Sequence, residues 1–294
     1  MQNALTIDVE DYYQVSNFSD GIHRHDWPNY PDRVVRNTHR ILQLLERYQI
    51  KATFYVLGYV AEKHPSLVRE INAAGHEIGS HSYWHRLVYD LSPGEFRNDL
   101  RRSRDVLQDI TGKAITGFRS PSFSITHKSL WALEILVEEG FTVDSSIFPV
   151  HHGRYGIPDA YPHPFACELA AGRLWEFPVS VCRFCNQFNV PISGGGYFRL
   201  FPFNFSRRLL KRINDQLVRP FVFYIHPWEL DPDQPRLKAG SRQQRFRHYV
   251  NLASNEEKFE RLLQCFDFGP LNDVLKNYID TTECPQVTRA AIAS

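Results

Sequence analysis

Short apolar runs of strand character alternate with stretches whose apolar residues recur at helical spacing, and this alternation most constrains how the chain can fold. The strand runs lie at 4–9, 52–56, just before His81, at 117–119, 141–143, 174–177 and 221–225. Between them, Thr38, Ile41, Leu42 and Leu45, then Leu67, Val68 and Ile71, then Phe96, Leu100, Leu107 and Ile110 mark helices. Two further helices run through Leu130, Leu133 and Leu136 and through Leu209, Leu210 and Ile213. Parallel strands need crossover connections of this kind, so a parallel sheet covered by helices is the expected architecture. If about seven such strands curl into a barrel, residues just past each strand's C-terminal end gather on one face.

A chain of 294 residues, 43% hydrophobic and 14% aromatic, buries a large core. One catalytic domain is expected over 1–280, with the barrel core at about 4–230 and a C-terminal extension at about 231–280. Within the extension, Ser254 and Glu257 have capping-box spacing. Residues 281–294 are expected to be a disordered tail. Residues 150–172 are read as a surface excursion and Gly194 to Phe198 as a flexible aromatic turn. The 34 basic and 33 acidic residues are interspersed, for a net charge of +1, which speaks against a nucleic-acid or anionic-membrane partner. Five cysteines do not suggest a disulfide framework, and Cys182 and Cys185 have no second pair to complete a zinc knuckle, so buried thiols are expected. With no secretion-like leader and no apolar run of membrane-spanning length, the expected compartment is the cytoplasm.

Five ionisable residues stand at strand ends: Asp8, His81, Arg119, Asp144 and His226. Asp8 is followed closely by Glu10 and Asp11, and His81 by His85, a spacing at which two imidazoles can share one cation. Each has an ordinary alternative: a solvated acid, loop histidines, a structural Arg119–Asp144 pair, a satisfied core histidine. Together they fit Lewis-acid activation of water, with a carboxylate to take its proton and a histidine to protonate a leaving nitrogen. A metalloprotease motif is disfavoured because Ser82 stands where its glutamate would be, and no nucleophile elbow is present for serine chemistry. The triple glycine is not a phosphate loop, since no Gly-Lys-Ser/Thr follows.

Five ordered stretches carry a resemblance: Thr6-Ile7-Asp8-Val9-Glu10, His81-Ser82-Tyr83-Trp84-His85, Phe118-Arg119-Ser120-Pro121, Asp144-Ser145-Ser146 and Tyr224-Ile225-His226. Over roughly 4–230 the chain resembles the NodB-type polysaccharide deacetylases, carbohydrate esterase family four. The resemblance implies a distorted (β/α)7 barrel holding a divalent metal, usually Zn2+, that removes acetyl groups from N-acetylated sugars of a polymer or a lipid-linked precursor. It implies Asp8 as base, His81 and His85 as metal ligands, Arg119 orienting the base and His226 as general acid. Asp144 is counted with the catalytic group, and Ser122 and Trp228 with the substrate and oxyanion contacts. Val9 separates the acids that are usually adjacent, leaving Glu10 or Asp11 as third ligand, with Glu10 favoured. Ser120 and Ser122 replace the commoner proline and aromatic, and Tyr224 replaces a leucine. The chain is most similar to the deacetylases of exosortase-linked exopolysaccharide clusters. Two alternatives are a hydrolase of another C–N bond, such as an allantoin-like or cyclic imide ring amide, and an inactive saccharide-binding barrel.

Overall fold

Strand β1 (Gln2–Val9) is buried along almost its whole length, and its two faces serve different interiors. Leu5, Ile7 and Val9 join the large apolar core beneath the covering helices. On the opposite face Ala4 packs with Val143, Val222 and Leu271, while Thr6 and Asp8 both meet Arg119. The period of two along a strand makes this division, so β1 separates an outer apolar layer from an inner, increasingly polar one.

The computed structural model describes residues 1–184 and 188–292, and Cys185 lies outside the described residues. The remaining strands are β2 (Thr53–Val56), β3 (Glu77–Ser80), β4 (Gly117–Phe118), β5 (Val143–Asp144), β6 (Phe165–Leu169) and β7 (Gly172–Glu176). They continue with β8 (Val181–Phe184), β9 (Phe188–Pro191), β10 (Val222–Ile225), β11 (Asp267–Gly269) and β12 (Gln286–Thr288). Seven run parallel in the order β10-β1-β2-β3-β4-β5-β7. Among the described residues no ladder joins β7 to β10. The gap is spanned by single bonds, from the Val222 N–H to Ser180 Oγ (2.8 Å) and from the Tyr224 N–H to the Ser193 carbonyl (2.8 Å). The expected α/β fold with a distorted barrel is what forms.

Helices fill the crossovers. Pro93–Thr111 starts at a capping box in which Ser92 and Glu95 satisfy each other's backbone N–H, and it stops at Gly112 with φ 66°. Glu139, at the end of Trp131–Glu138, accepts from Arg97 and Arg101 of that longer helix and so ties neighbouring crossovers together. Leu271–Ile279 packs across the N-terminal end of the barrel, its first N–H donating to Thr53 Oγ1 at 2.7 Å.

Several expectations need correction. The 150–172 stretch contains β6, which pairs antiparallel with β7, so it is a hairpin arm rather than an unstructured excursion throughout. The tail expected to be disordered carries β12, parallel to β6, and a helical turn at Arg289–Ile292 that buries Ile292. The segment after 230 is also tied to the sheet, through the pairing of β11 with β1. Gly195–Leu200 is a short helix rather than a flexible turn; at Gly194, with φ 143°, a Cβ would sit 2.0 Å from the Tyr224 carbonyl oxygen, so no side chain fits. Ser254 precedes its helix without a side-chain cap. Cys167 and Cys182 are buried as expected, whereas Cys265 is exposed.

Inside the barrel the Tyr55 ring lies against β3, where a Cβ on Gly79 would meet it at 2.6 Å and the Gly117 carbonyl at 3.0 Å. Gly79→Ala is therefore expected to lower stability by about 1–3 kcal/mol through overpacking, read as a shifted urea midpoint at unchanged slope.

Candidate active site

The C-terminal ends of β1, β3, β4 and β10 deliver side chains to one cavity of about 570 Å³. β1 brings Asp8 and, just beyond its end, Glu10; β3 leads into His81 and β10 into His226. β4 ends at Arg119, which lies beneath the cavity floor, wholly buried.

His85 comes from the tight loop after β3, not from a helix. Ser82 and His85 both take left-handed backbone conformations, φ 63° and 52°. Such conformations are costly for residues with a Cβ and persist where surrounding bonds enforce them. Here Asp99, from the Pro93–Thr111 helix, accepts the N–H groups of Tyr83 (2.6 Å) and Trp84 (3.1 Å), and Ser82 Oγ accepts that of His85 (3.2 Å). The loop folds back until the two imidazole centroids are 5.3 Å apart.

Glu10, His81 and His85 each offer a donor atom, and these three lie within 4.8 Å of one another. His81 Nδ1 contacts the Arg119 carbonyl at 2.8 Å. A carbonyl only accepts, so Nδ1 carries the proton and Nε2 is left with its lone pair, the state a metal ligand needs. Burial, partly opposed by Asp8, holds the His81 pKa down at about 4, which keeps the ring neutral. Glu10 Oε2 lies 2.6 Å from His85 Nε2 yet has no hydrogen bond. Burial alone would raise the Glu10 pKa, but His85, His226 and His81 overcome it and hold it at about 2. A buried carboxylate oxygen without a donor is costly, and a cation among two imidazoles and one carboxylate would satisfy it. The three residues fit a divalent metal.

Asp11 is turned away. Its Oδ2 accepts the N–H groups of Arg33 (2.7 Å) and Val34 (2.9 Å), where the helix Val34–Arg47 begins. It satisfies two donors of a helix start, a structural task.

Beside the triad, Asp8 Oδ1 accepts from Arg119 Nη1 at 2.9 Å. The same guanidinium donates to Thr6 Oγ1 (2.6 Å), the Ser145 carbonyl (3.0 Å) and Ser145 Oγ (2.8 Å), so its position is fixed from four directions. The other Asp8 oxygen lies 3.9 Å from His226 Nε2. His226 Nδ1 is 2.6 Å from Glu229 Oε1. Burial would lower the His226 pKa, but the Glu229 contact, with Glu10 and Asp8, raises it to about 9. Its outward nitrogen therefore holds a proton at neutral pH.

Trp228 does more than line the wall. Its indole N–H donates to Glu10 Oε1 at 3.2 Å, and its ring stacks between His226 and His248. Ser122 lies on the cavity wall in a left-handed conformation, φ 52°, with its hydroxyl 2.8 Å from Ser16 Oγ.

Asp144 is not at this site. It faces Glu176 across the β5–β7 pairing and contacts Ser146, making no hydrogen bond to Arg119, so neither a catalytic place nor the Arg119 ion pair is realised. Burial, reinforced by Asp144, pushes the Glu176 carboxyl well above the usual range, so this pair holds a proton within the barrel wall. Sequence reasoning missed Glu229, Asp99 and Arg199. Arg199, from the Gly195–Leu200 helix, lies 3.4 Å from Glu229 Oε2 and donates to the His248 carbonyl. The one available signal was for Glu229: a carboxylate three positions after His226, able to reach back to it.

The polysaccharide deacetylase family model matches residues 17–138, and a domain of unknown function, DUF3473, matches residues 145–276. The peptidoglycan-N-acetylglucosamine deacetylase of Bacillus cereus is 37% identical over 98 residues, which are 33% of this chain and 36% of that protein. The peptidoglycan deacetylase of Helicobacter pylori is 31% identical over 108 residues, 37% of this chain and 36% of that protein. The chain thus spans little more than a third of the length of these curated relatives. A solved structure from Mycobacterium smegmatis, provisionally named a polysaccharide deacetylase, superimposes with a TM-score of 0.62 at 21% identity, covering 97% of this chain and 92% of that one. An allantoinase superimposes with a TM-score of 0.61 at 15% identity, covering 95% and 90%. At those identities the structures compare folds alone, whereas the family model and the curated relatives support the polysaccharide deacetylase family.

Proposed function

We propose that this member of the polysaccharide deacetylase lineage is a metal-dependent hydrolase that removes N-acetyl groups from amino sugars of a polysaccharide or its precursor. The observation that carries the reading is the placement of Glu10, His81 and His85 within 4.8 Å of one another, beside Asp8 and His226, on the floor of a single cavity. A divalent metal, Zn2+ by the donor set, would supply Lewis acidity toward water and the acetamide carbonyl when held by those three residues.

The chain's own groups supply the rest. Asp8, oriented by Arg119, takes the proton from the attacking water. His226 gives its Nε2 proton to the sugar nitrogen as the C–N bond breaks, so the products are a free amine and acetate. Glu229 holds His226 in that orientation and tautomer. Trp228 fixes Glu10, and the resemblance assigns a backbone N–H near Ser122 a share in holding the developing oxyanion. A role in exopolysaccharide production, before export from the cytoplasm, belongs to the same proposal; the resemblance of the ordered motifs supports it.

Glu229→Gln keeps the shape of the side chain and removes its charge. It is expected to lower kcat by about 10- to 100-fold, since general acid catalysis by a positioned group is worth at least that. Arg199 loses its carboxylate neighbour as well, so the melting temperature falls, and kcat is to be read on the folded fraction.

Acetate release from chitooligosaccharides and from extracted exopolysaccharide, with and without chelator, tests the assignment. Chelator-sensitive release supports it; none from any N-acetylated saccharide refutes it. A second reading, hydrolysis of a cyclic amide, draws on the fold shared with an allantoinase and would show as ring opening of allantoin without acetate release.

A further inference from the structure

The cavity above the floor is walled chiefly by residues of the 145–276 region. Some arginines of the chain meet carboxylates: Arg33 and Arg36 with Asp231, Arg47 with Glu260, Arg97, Arg101 and Arg104 with Glu139. Two arginines at the cavity do not. Arg154, from the segment between β5 and β6, and Arg247, from the helix Arg242–Tyr249, both line it, and neither has a carboxylate partner among the described residues. Arg154 is nevertheless held in place, donating to the Ser16 carbonyl at 2.9 Å and Asn17 Oδ1 at 3.3 Å, both neutral acceptors. The acids that line the cavity, Asp8, Glu10 and Glu229, sit at its floor and contact Arg119, His85 and His226.

Both guanidinium groups act on the same neighbours: together with burial they depress the pKa of His152, which stacks on Tyr155 at 3.8 Å. Their fields therefore overlap at one part of the wall. Uncompensated charge focused in a concave, partly apolar site raises the local concentration of anions. A guanidinium already fixed by neutral bonds recognises a carboxylate or a phosphate with little further ordering cost. Gln243 and Gln244 beside Arg247 add neutral groups suited to sugar hydroxyls.

Resting on the deacetylase reading above, we propose that the substrate is an acidic saccharide, whose carboxylate or phosphate group, near the acetamide-bearing sugar, is bound by Arg154 and Arg247. A uronate within a polymer and the diphosphate of an activated or lipid-linked sugar present the same oxyanion to this wall.

The test compares kcat/KM on chitotetraose, on a tetrasaccharide alternating N-acetylglucosamine and glucuronate, and on UDP-N-acetylglucosamine. Wild type, Arg154→Gln, Arg247→Gln and the double variant are each assayed. Wild type is expected to prefer one of the two anionic substrates, and which one identifies the source of the charge. In the double variant the ratio of anionic to neutral kcat/KM should fall by about tenfold or more, through KM, as loss of charge-assisted contacts implies. An unchanged ratio would overturn the proposal while leaving the deacetylase reading in place. If no substrate turns over, that reading fails instead. Calorimetric binding of the uronate tetrasaccharide and of UDP-N-acetylglucosamine then decides the anion site separately: binding of either, weakened in the double variant, supports it, and equal or absent binding of both refutes it.

Discussion

His85→Ala is expected to yield a folded protein that no longer retains a divalent metal and no longer releases acetate from an N-acetylated oligosaccharide. His85 supplies one of three donors, and two donors hold a divalent ion weakly, so metal content after desalting should fall close to zero. Lewis-acid stabilisation is worth several kcal/mol, and each 1.36 kcal/mol is tenfold, so kcat/KM should drop by roughly a thousandfold. The fold should survive because His85 is not part of the main apolar core. The loop itself stays anchored by the two bonds from Asp99 to Tyr83 and Trp84. Metal analysis, circular dichroism and acetate release on one preparation check all three points. Metal retained at full stoichiometry by both His85→Ala and His81→Ala would remove the ligand assignment and the mechanism with it.

The barrel was legible because its signal is redundant. Crossover helices repeat the 3.6-residue period and alternate with short strand runs, of which β10 is the most continuously apolar, so the parallel order follows even where β4 and β5 span only two residues each. Elements outside that repeat were harder to read. β6 lies among proline, histidine and glycine residues and is stabilised by antiparallel pairing with β7, a contact no local period reports. β12 is three residues long and exists because β6 offers it an edge. The helix after Gly194 starts from a glycine that the nearby Tyr224 carbonyl requires, whereas locally a run of glycines argues for a loop.

For the site, position at a strand end indicates which face a residue approaches but not how deep it lies. Asp8 and Asp144 both end strands, yet one reaches the cavity and the other pairs with Glu176 inside the wall. Glu10 and Asp11 are adjacent in sequence and separate in space, because the helix Val34–Arg47 takes Asp11 to satisfy its first N–H groups. Groups that position others were the least legible. Asp99, Arg199 and Glu229 act on a loop or an imidazole delivered by a different segment or by a short turn, and only the assembled geometry relates them.

Asp8→Asn separates chemistry from metal binding, because Asp8 is not one of the three donors. Metal content should match wild type, KM should change little, and kcat should fall by about 10²- to 10⁴-fold, the usual worth of a positioned base. The amide oxygen can still accept from Arg119 Nη1, but its NH2 then faces the protonated His226 at the position 3.9 Å away. Donor would meet donor there, and the buried Arg119 would lose its counter-charge, so the melting temperature should fall as well. Instability alone could lower activity, and a second substitution separates the two causes. Arg119→Gln added to Asp8→Asn removes the unpaired cation; the double variant should regain part of the lost stability and none of the lost kcat. Recovery of turnover in the double variant would make Asp8 a structural partner of Arg119. Wild-type kcat in Asp8→Asn itself would mean that another group removes the proton from water.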